Sequence, residues 1–265
     1  MERFRRAHAR APLVVALTGT DLYADLPSNA EARTSLELAS RLVVLQPLAI
    51  DALPRQAREK ARVIYQSAES PLRSEPADPR ASQVCVLAHL RPVKDPLRTA
   101  LAVRALPASS TIQVMHAGAA LNPEMAESAR AEQRRNPRYR WLGDLPRDEA
   151  LRLLARSWLL SLTSQLEGGA NVVTEAIAAS VPILSSRIPG SIGLLGADYL
   201  GYFPAGDTDA LRELLLRAES DAAFYRELKK RCDALKPLAD PALEKQRWIS
   251  LLAELQLETE QAAGS

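Results

Sequence analysis

Two acids in the second half of the chain, Glu167 and Glu175, are spaced so that both can contact one polyhydroxylated ligand. Glu167 stands directly before Gly168 and Gly169, whose missing side chains let backbone amides approach a ligand closely. Both oxygens of a carboxylate accept hydrogen bonds, which suits the vicinal hydroxyls of a sugar or a ribose. These residue types therefore indicate a site for sugar hydroxyls.

The elements around these acids are predicted to be strand, loop, helix and strand. Apolar runs at Leu159–Leu162 and Val181–Leu184 flank a helical pattern that contains Glu175. The free N–H groups and positive dipole end of that helix favour an anion such as phosphate. An ordinary β-α-β unit with a glycine-rich turn is the alternative, because neither GxxxxGK nor GxGxxG occurs.

A second candidate site is the segment AHLRPVKDP, residues Ala88–Pro96, which follows a predicted strand and precedes a predicted helix. It carries His89, Arg91 and Lys94. Cations at this edge of a sheet would neutralise a diphosphate and stabilise its charge as it departs. A solvated loop is the alternative interpretation of an isolated Arg-x-x-Lys.

A third candidate is TGTDLY, residues Thr18–Tyr23, at the end of the first predicted strand. Gly19 frees the backbone there, and Thr20 or Asp21 can face a cleft between lobes. We therefore treat Gly19, Thr20 and Asp21 as candidates for the acceptor side of a site. Helix capping by Asp21 is an equally good interpretation of its position.

The first part of the chain, residues 1–75, alternates short aliphatic runs with stretches of helical composition, which predicts a Rossmann-like lobe with a parallel sheet. Ser28 and Glu31 have capping-box spacing and predict a helix through Leu38. The proline-rich residues 67–82 predict a linker. The predicted strands are Leu13–Leu17, Leu42–Leu45 and Arg62–Tyr65.

Residues 76–235 repeat the rhythm and predict a second Rossmann-like lobe, so the expected fold is α/β with an open parallel sheet. The predicted strands are Val84–Ala88, Ile112–Met115, Tyr139–Leu142, Leu159–Leu162 and Val181–Leu184. Helices are expected to open at Asp95-Pro96 and Asn122-Pro123, and to cover Thr208–Ser220 and Asp221–Ala234. Residues 236–265 predict a C-terminal helix, Pro241 to about Leu257, and a disordered polar tail from Glu258.

Composition excludes several classes of function. The net charge of +2 gives no reason to expect nucleic acid as a partner. The spacing of the two cysteines, Cys85 and Cys232, indicates neither a disulfide framework nor a metal site. Cys85 is predicted to be a small buried residue. The cysteine usage is typical of a reduced compartment, so a cytoplasmic location is expected. We see no signal peptide and no run long enough for stable membrane insertion.

The segment EGGANVVTEAIAASVPILSS, preceded by WLGDLPRDEALRLLARSWLLSL, resembles the GT-B glycosyltransferases of the large retaining family whose signature is Glu-x7-Glu. The likeness runs from Val84 to about Leu215. It implies a nucleotide-sugar donor and no metal or other cofactor. By resemblance, Glu167 and the segment after it hold the donor sugar, Glu175 holds the ribose, and Leu142 lies beside the uracil pocket. The segment after Glu167 comprises Gly168, Gly169, Ala170, Asn171 and Val172.

The same resemblance assigns the diphosphate to Lys94, which matches the Lys of the family's Gly-Arg-Leu-x3-Lys segment. His89 stands where that segment has Arg, and Arg91 follows two residues later. His89 is accordingly expected among the donor-binding residues. Either cation, Arg91 or Lys94, can grip the diphosphate, and we take both with Glu167 as the candidate catalytic residues.

The chain also resembles a narrower group, the selenosugar synthases of selenoneine biosynthesis. The segments that carry this resemblance are AHLRPVKDPLR, EGGANVVTEA, SSRIPGSIGLLG, LGYFPAGDTDAL and VVALTGTDLY. It implies transfer of N-acetylglucosamine or glucose from its UDP donor to selenophosphate, with pathway enzymes that supply selenophosphate and consume the selenosugar. Transfer to a hydroxyl acceptor of a glycolipid or polysaccharide, and donor binding without turnover, remain alternatives. Relatives have a longer N-terminal lobe. We therefore expect either that roughly sixty residues of this lobe, two β-α units, are missing from the sequence, or that the chain is a natural short form.

Overall fold

The computed structural model describes residues 1–69 and 82–263, which form two parallel sheets. The first sheet has three strands in the order β1-β2-β3, and the second has six in the order β6-β5-β4-β7-β8-β9. The sheet-forming parts are called the first and second lobe below. Two lobes with parallel, helix-covered sheets confirm the expected α/β architecture. The proposed linker falls largely on residues 70–81, outside the described residues, and its boundaries stay a prediction.

The first lobe follows the aliphatic runs of the sequence to within two residues. Its strands are β1 (Val14–Leu17), β2 (Arg41–Val44) and β3 (Ala61–Val63). Its helices are α1 (Glu2–Ala7), α2 (Leu26–Ser28), α3 (Ala30–Leu38) and α4 (Arg55–Arg58), with a π-helical turn at Asp21–Asp25 and a 3-10 turn at Pro47–Ala49.

The cap of α3 differs from the predicted capping box. Asn29, not Ser28, is the N-cap, and its side-chain oxygen accepts from the backbone N–H groups of Glu31 and Ala32. Ser28 ends the preceding short helix, where its hydroxyl donates to Ala24 O. Asn is as good a cap as Ser, and it stands one residue closer to the helix.

The second lobe contains every predicted strand and one more. Its strands are β4 (Gln83–Leu87), β5 (Gln113–Ala117), β6 (Tyr139–Trp141), β7 (Leu159–Leu162), β8 (Ile183–Ser186) and β9 (Tyr202–Phe203). The strand β8 lies two residues later than the apolar run predicts, because Ser185 and Ser186 are buried and pair with the next strand of the sheet. The short β9 pairs with these serines and has no apolar run of its own.

The helices of the second lobe include those that the sequence predicts, one of them with a different start, and also α9, which it did not predict. They are α5 (Arg98–Arg104), α6 (Pro123–Arg135), α7 (Arg147–Ala155), α8 (Asn171–Ala178), α9 (Pro189–Leu195), α10 (Thr208–Ser220) and α11 (Ala222–Ala234). Asn122 caps α6 as predicted. Asp95 does not cap α5: it has a left-handed backbone with φ of 44° after a 3-10 turn, and its carboxylate pairs with Arg98.

The C-terminal helix α12 (Pro241–Ala263) returns to the first lobe. Leu251 and Leu255 pack against Val43 and Ile64 of the first sheet. The expected disordered tail from Glu258 is wrong through Ala263, because these residues continue α12 and the Glu258 carboxylate pairs with Arg41. The segment from Glu258 thus continues a helix that contacts the first sheet, although its composition alone favours disorder.

Ion pairs add to the apolar contacts between α12 and the first sheet. Glu254 pairs with both Arg41 and Arg62, so one carboxylate joins β2 and β3 to the helix.

No helix within residues 1–69 and 82–263 is long and apolar enough to cross a membrane.

We predict that Leu251→Ala lowers the free energy of unfolding by about 2–5 kcal/mol, because it leaves a cavity under α12. The matched control is Leu252→Ala on the same helix, whose side chain is 53% exposed where Leu251 is 3% exposed. The control should change stability by less than about 0.5 kcal/mol. Urea unfolding measures both, and equal effects would show that α12 does not dock through Leu251.

Candidate functional site

A cleft of about 570 Å³ lies between the two lobes at the carboxyl ends of their strands. The first lobe contributes Gly19 and Thr20 after β1 and Leu45 after β2. The second lobe contributes the loops after β4, β5, β6 and β7, together with the start of α8. Carboxyl edges of parallel sheets are where ligands bind in open α/β folds. The three candidate segments of the sequence therefore meet in one cleft.

The lobes touch across this cleft at paired glycines. A Cβ atom added to Gly19 would lie 2.6 Å from Gly168 N, and one added to Gly168 would lie 2.5 Å from Gly19 N. A Cβ on Gly169 would lie 2.6 Å from Leu45 Cβ. These glycines are required because the backbones of the two lobes approach each other, a reason additional to the ligand approach expected from sequence.

Glu167 is held by groups from two loops. Lys94 Nζ donates to Glu167 Oε1 over 2.6 Å, and Ser164 Oγ donates to the same oxygen over 2.6 Å. The Glu167 side chain is 10% exposed. Both bonds fall on Oε1, so Oε2 remains available to accept from a ligand hydroxyl.

The loop carrying Lys94 is bonded directly to the loop carrying Glu167. Thr163 Oγ1 donates to the carbonyl oxygens of Lys94 and Asp95, at 3.1 and 2.9 Å. Gln165 N donates to Val93 O over 2.8 Å. Backbone and side-chain bonds thus set the distance between the cation and the carboxylate, which are 73 residues apart in sequence.

Ser164 is a site residue that the sequence reasoning missed. Its side chain is buried, and its carbonyl accepts from Ser186 Oγ over 2.5 Å. The backbone of Glu167 is further confined by α9, since a Cβ on Gly190 would lie 2.2 Å from Glu167 O. The only sequence signal was its position three residues before Glu167 at the end of a buried strand.

Glu175 lies inside α8 with its side chain 10% exposed, and Arg147 at the start of α7 pairs with it. Arg147 Nη2 is 3.0 Å from Glu175 Oε1, and its own side chain is 71% exposed. Burial raises the pKa of Glu175, and the guanidinium of Arg147 opposes that rise. Arg147 was not predicted, because only the tertiary fold brings α7 beside α8.

Arg91 and His89 line the cleft beside Lys94. Among the described residues, no carboxylate pairs with Arg91, so its charge is available to an anion. His89 Nδ1 accepts from Ala119 N over 3.0 Å. The backbone segment 170–172 at the start of α8 also lines the cleft, as expected.

Two predicted site residues do not line the cleft. Asp21 turns back to its own loop, where its carboxylate accepts from Thr18 N and Thr18 Oγ1 at 3.0 and 2.6 Å. It is not the helix N-cap either, since that position is Thr20. Leu142 packs on the core of the second lobe, and Asp144 and Leu145 line the cleft in its place.

The wall formed by Ala88 and Gly118 is bonded from behind by aromatic side chains, of which His116 and Tyr139 are buried and Trp141 is half-buried. His116 Nε2 donates to Ala88 O over 2.8 Å, so its Nδ1 accepts from Tyr139 Oη over 2.9 Å. Burial lowers the pKa of His116 to about 4, which keeps it neutral. Trp141 Nε1 donates to Gly118 O over 2.9 Å. His116 is therefore a core residue that shapes the wall.

No set of three or more His, Cys, Asp or Glu side chains in the described chain is arranged to hold a metal ion. Cys85 and Cys232 are both buried and unbonded to each other. Burial raises the pKa of both thiols, Cys85 to about 12 and Cys232 to about 11. Cys85 is a core residue, as its apolar neighbours in sequence predict.

Comparison with known proteins places the chain in a family. The sequence model described as "Glycosyl transferases group 1" matches residues 71–234. No curated protein sequence matches the chain.

Solved structures share the fold at low sequence identity. HepE of Anabaena in complex with UDP and glucose superimposes with a TM-score of 0.78 at 20% identity, over 93% of this chain and 72% of that one. Trehalose-6-phosphate synthase OtsA gives 0.75 at 14%, over 96% and 69%. The pneumococcal O-GlcNAc transferase GtfA, in complex with UDP and GlcNAc, gives 0.70 at 15%, over 100% and 55%. The fold is GT-B.

We predict that Glu175→Gln raises the melting temperature of the ligand-free protein at pH 8. The raised pKa of Glu175 means that folding disfavours its charged form, and this cost is fully present only above the folded-state pKa. The advantage of the variant should shrink as the pH falls through that pKa and vanish below the ordinary value of 4.5.

Differential scanning fluorimetry from pH 4 to pH 8 measures this difference. Glu213→Gln is the matched control for loss of a carboxylate, because Glu213 is exposed in the middle of α10 and its substitution should change the melting temperature little. A lower melting temperature for Glu175→Gln at pH 8 would show that the pair with Arg147 outweighs the cost of burial.

Proposed function

The chain belongs to the glycosyl transferases group 1 family, and from that premise we propose that it transfers N-acetylglucosamine or glucose from its uridine diphosphate donor to selenophosphate, forming a 1-selenosugar. The observation that carries the proposal is the convergence in one cleft of two carboxylates, Glu167 and Glu175, with the cations Arg91 and Lys94. Carboxylates suit the hydroxyls of the donor, and cations suit its diphosphate.

The donor half of the proposal is supported by charge and by likeness. HepE binds UDP and glucose in its solved structure, and GtfA binds UDP and GlcNAc. Under this proposal, Glu175 accepts from the ribose hydroxyls once they replace Arg147 at its carboxylate. Under the same proposal, Glu167 Oε2 and the amides at the start of α8 hold the sugar.

The reaction breaks the bond between the anomeric carbon and the diphosphate oxygen. Negative charge then grows on the diphosphate, where Arg91, Lys94 and the positive end of α8 stabilise the transition state more than the ground state. The selenium of selenophosphate supplies the electron pair for the new bond to the anomeric carbon. Hydrolysis of the Se–P bond by water then releases phosphate and leaves the 1-selenosugar.

The acceptor half rests on the narrower resemblance of the sequence and on the nature of the nucleophile. Selenophosphate is already anionic and polarizable, so the cleft need not supply a general base, which a hydroxyl acceptor requires. Gly19 and Thr20 of the TGTDLY segment line the cleft from the first lobe, and we assign the acceptor to that side. Transfer to a hydroxyl and donor binding without turnover are the alternatives that the following experiment separates.

We predict that the protein, incubated with UDP-N-acetylglucosamine or UDP-glucose and selenophosphate, releases UDP and forms a sugar whose mass includes selenium. Lys94→Ala should lower kcat about 100-fold, because one charge on the leaving group is no longer stabilised. Lys245→Ala, on an exposed position of α12, is the control and should leave kcat unchanged.

Each other outcome of this assay identifies an alternative. Transfer of the sugar only to a hydroxyl acceptor would show that the acceptor is a hydroxyl group and not selenophosphate. UDP bound without release in the presence of every acceptor would indicate a binding protein without turnover.

We also predict that Ser164→Ala raises the KM for the UDP-sugar about 2- to 10-fold, the equivalent of one lost hydrogen bond to Glu167. The affinity for UDP itself should not change, because Glu167 is proposed to hold the sugar. Ser161→Ala is a matched control, since it removes a buried hydroxyl bonded to Thr99 and not to Glu167. Equal losses of UDP and UDP-sugar binding would assign Ser164 a purely structural role.

A further inference from the structure

His89 follows β4 and lines the cleft with an exposed side chain. An imidazole at this position has three possible roles, namely a cation for the diphosphate, a general base and a neutral donor. One contact distinguishes them: the backbone N–H of Ala119 donates to His89 Nδ1 over 3.0 Å.

The backbone around this contact is rigidly paired. Ala88 N donates to Ala117 O over 3.1 Å, and Leu90 N donates to Ala119 O over 2.8 Å. Leu90 also forms a parallel bridge with Ala120. These bonds extend the pairing of β4 and β5 beyond the ends of both strands. The N–H group of Ala119 is consequently held in place as a donor beside the imidazole ring.

A backbone N–H can only donate, so Nδ1 must present its lone pair and cannot carry a proton in this arrangement. A neutral imidazole has a single ring proton, which therefore resides on Nε2. Among the described residues, no acceptor is bonded to Nε2. A second proton on Nδ1 would set two N–H groups against each other and break the contact with Ala119.

We infer that His89 is a substrate-binding residue that donates its Nε2–H, as a neutral imidazole, to a phosphate oxygen of the bound nucleoside diphosphate. An anionic oxygen is the expected acceptor, because Arg91 and Lys94 line the same part of the cleft. The inference rests on the proposed function for its ligand and on the Ala119 contact for its protonation state.

Two consequences follow for the proposed reaction. A nitrogen that already carries its proton has no lone pair with which to accept another, so His89 is not the general base. It also adds no positive charge, so Arg91 and Lys94 alone supply the cationic charge from this segment to the departing diphosphate.

Two substitutions distinguish the contributions of the two ring nitrogens of His89. His89→Asn places a carbonyl oxygen near the position of Nδ1, which keeps the bond to Ala119 and removes the donor at Nε2. His89→Gln places an amide N–H near the position of Nε2. We expect His89→Asn to weaken UDP binding about 10-fold or more, the effect of losing one bond to a charged group, and His89→Gln to stay within about threefold of the wild type. Isothermal titration calorimetry measures both affinities.

Nitrogen NMR reads the tautomer directly and needs no ligand. The chain has only 3 histidines, and the signal that disappears in His89→Asn identifies the ring. We expect this ring to have a proton on Nε2 and a free lone pair on Nδ1 at pH 7.5. A proton on Nδ1 would overturn the inference.

The binding experiment also separates failure of this inference from failure of the proposed function. Wild-type protein that binds no UDP would overturn both. UDP binding that His89→Asn leaves unchanged would overturn only the role of His89. If both variants kept UDP affinity but lost at least about 100-fold in kcat, His89 would be a general base, contrary to the inference.

Discussion

The close backbone contact between Gly19 and Gly168 sets the geometry on which the rest of the cleft depends. Neither position has room for a Cβ atom, so the loop after β1 lies directly on the loop that begins with Glu167. Gly190 of α9 packs closely against the same loop. The backbone at Glu167 is thus packed against both lobes, in addition to the side-chain bonds from Lys94 and Ser164 to its carboxylate. Helix α12 holds the lobes in this relation, because it starts beside the second lobe and packs on the first sheet.

Charge pairing is the second organising feature of the cleft. Each of its two nearly buried carboxylates has a cation, Lys94 for Glu167 and Arg147 for Glu175. A buried charge without a partner is costly, so these pairs make the carboxylates compatible with a folded, ligand-free protein. A ligand that offers hydroxyls to the acids and an anion to the cations can exchange these internal pairs for equivalent contacts. A diphosphate linked to a sugar and a ribose has that combination.

Much of the fold was predictable because its signals are local. The aliphatic runs located eight of the nine strands, and Asn-Pro and Asp residues marked the starts of α6 and α11. The errors came where neighbours distant in sequence override composition. Two buried serines belong to β8. The carboxylate of Asp95 pairs with Arg98 and does not cap a helix, and Glu258, at the start of the expected tail, pairs with Arg41.

The sequence by itself determined which chemical groups are present and in which segments: the paired acids 167 and 175, the cation Lys94, and the glycines that precede α8. Periodicity places such groups at a sheet edge, since parallel strands end together. Only the tertiary structure decided their partners. It brought Ser164 and Lys94 onto one oxygen of Glu167, paired Arg147 with Glu175, turned Asp21 away, and set Ala119 against His89. Hydrogen bonds and ion pairs depend on distances of a few ångströms between segments remote in sequence, and residue spacing carries no record of those distances.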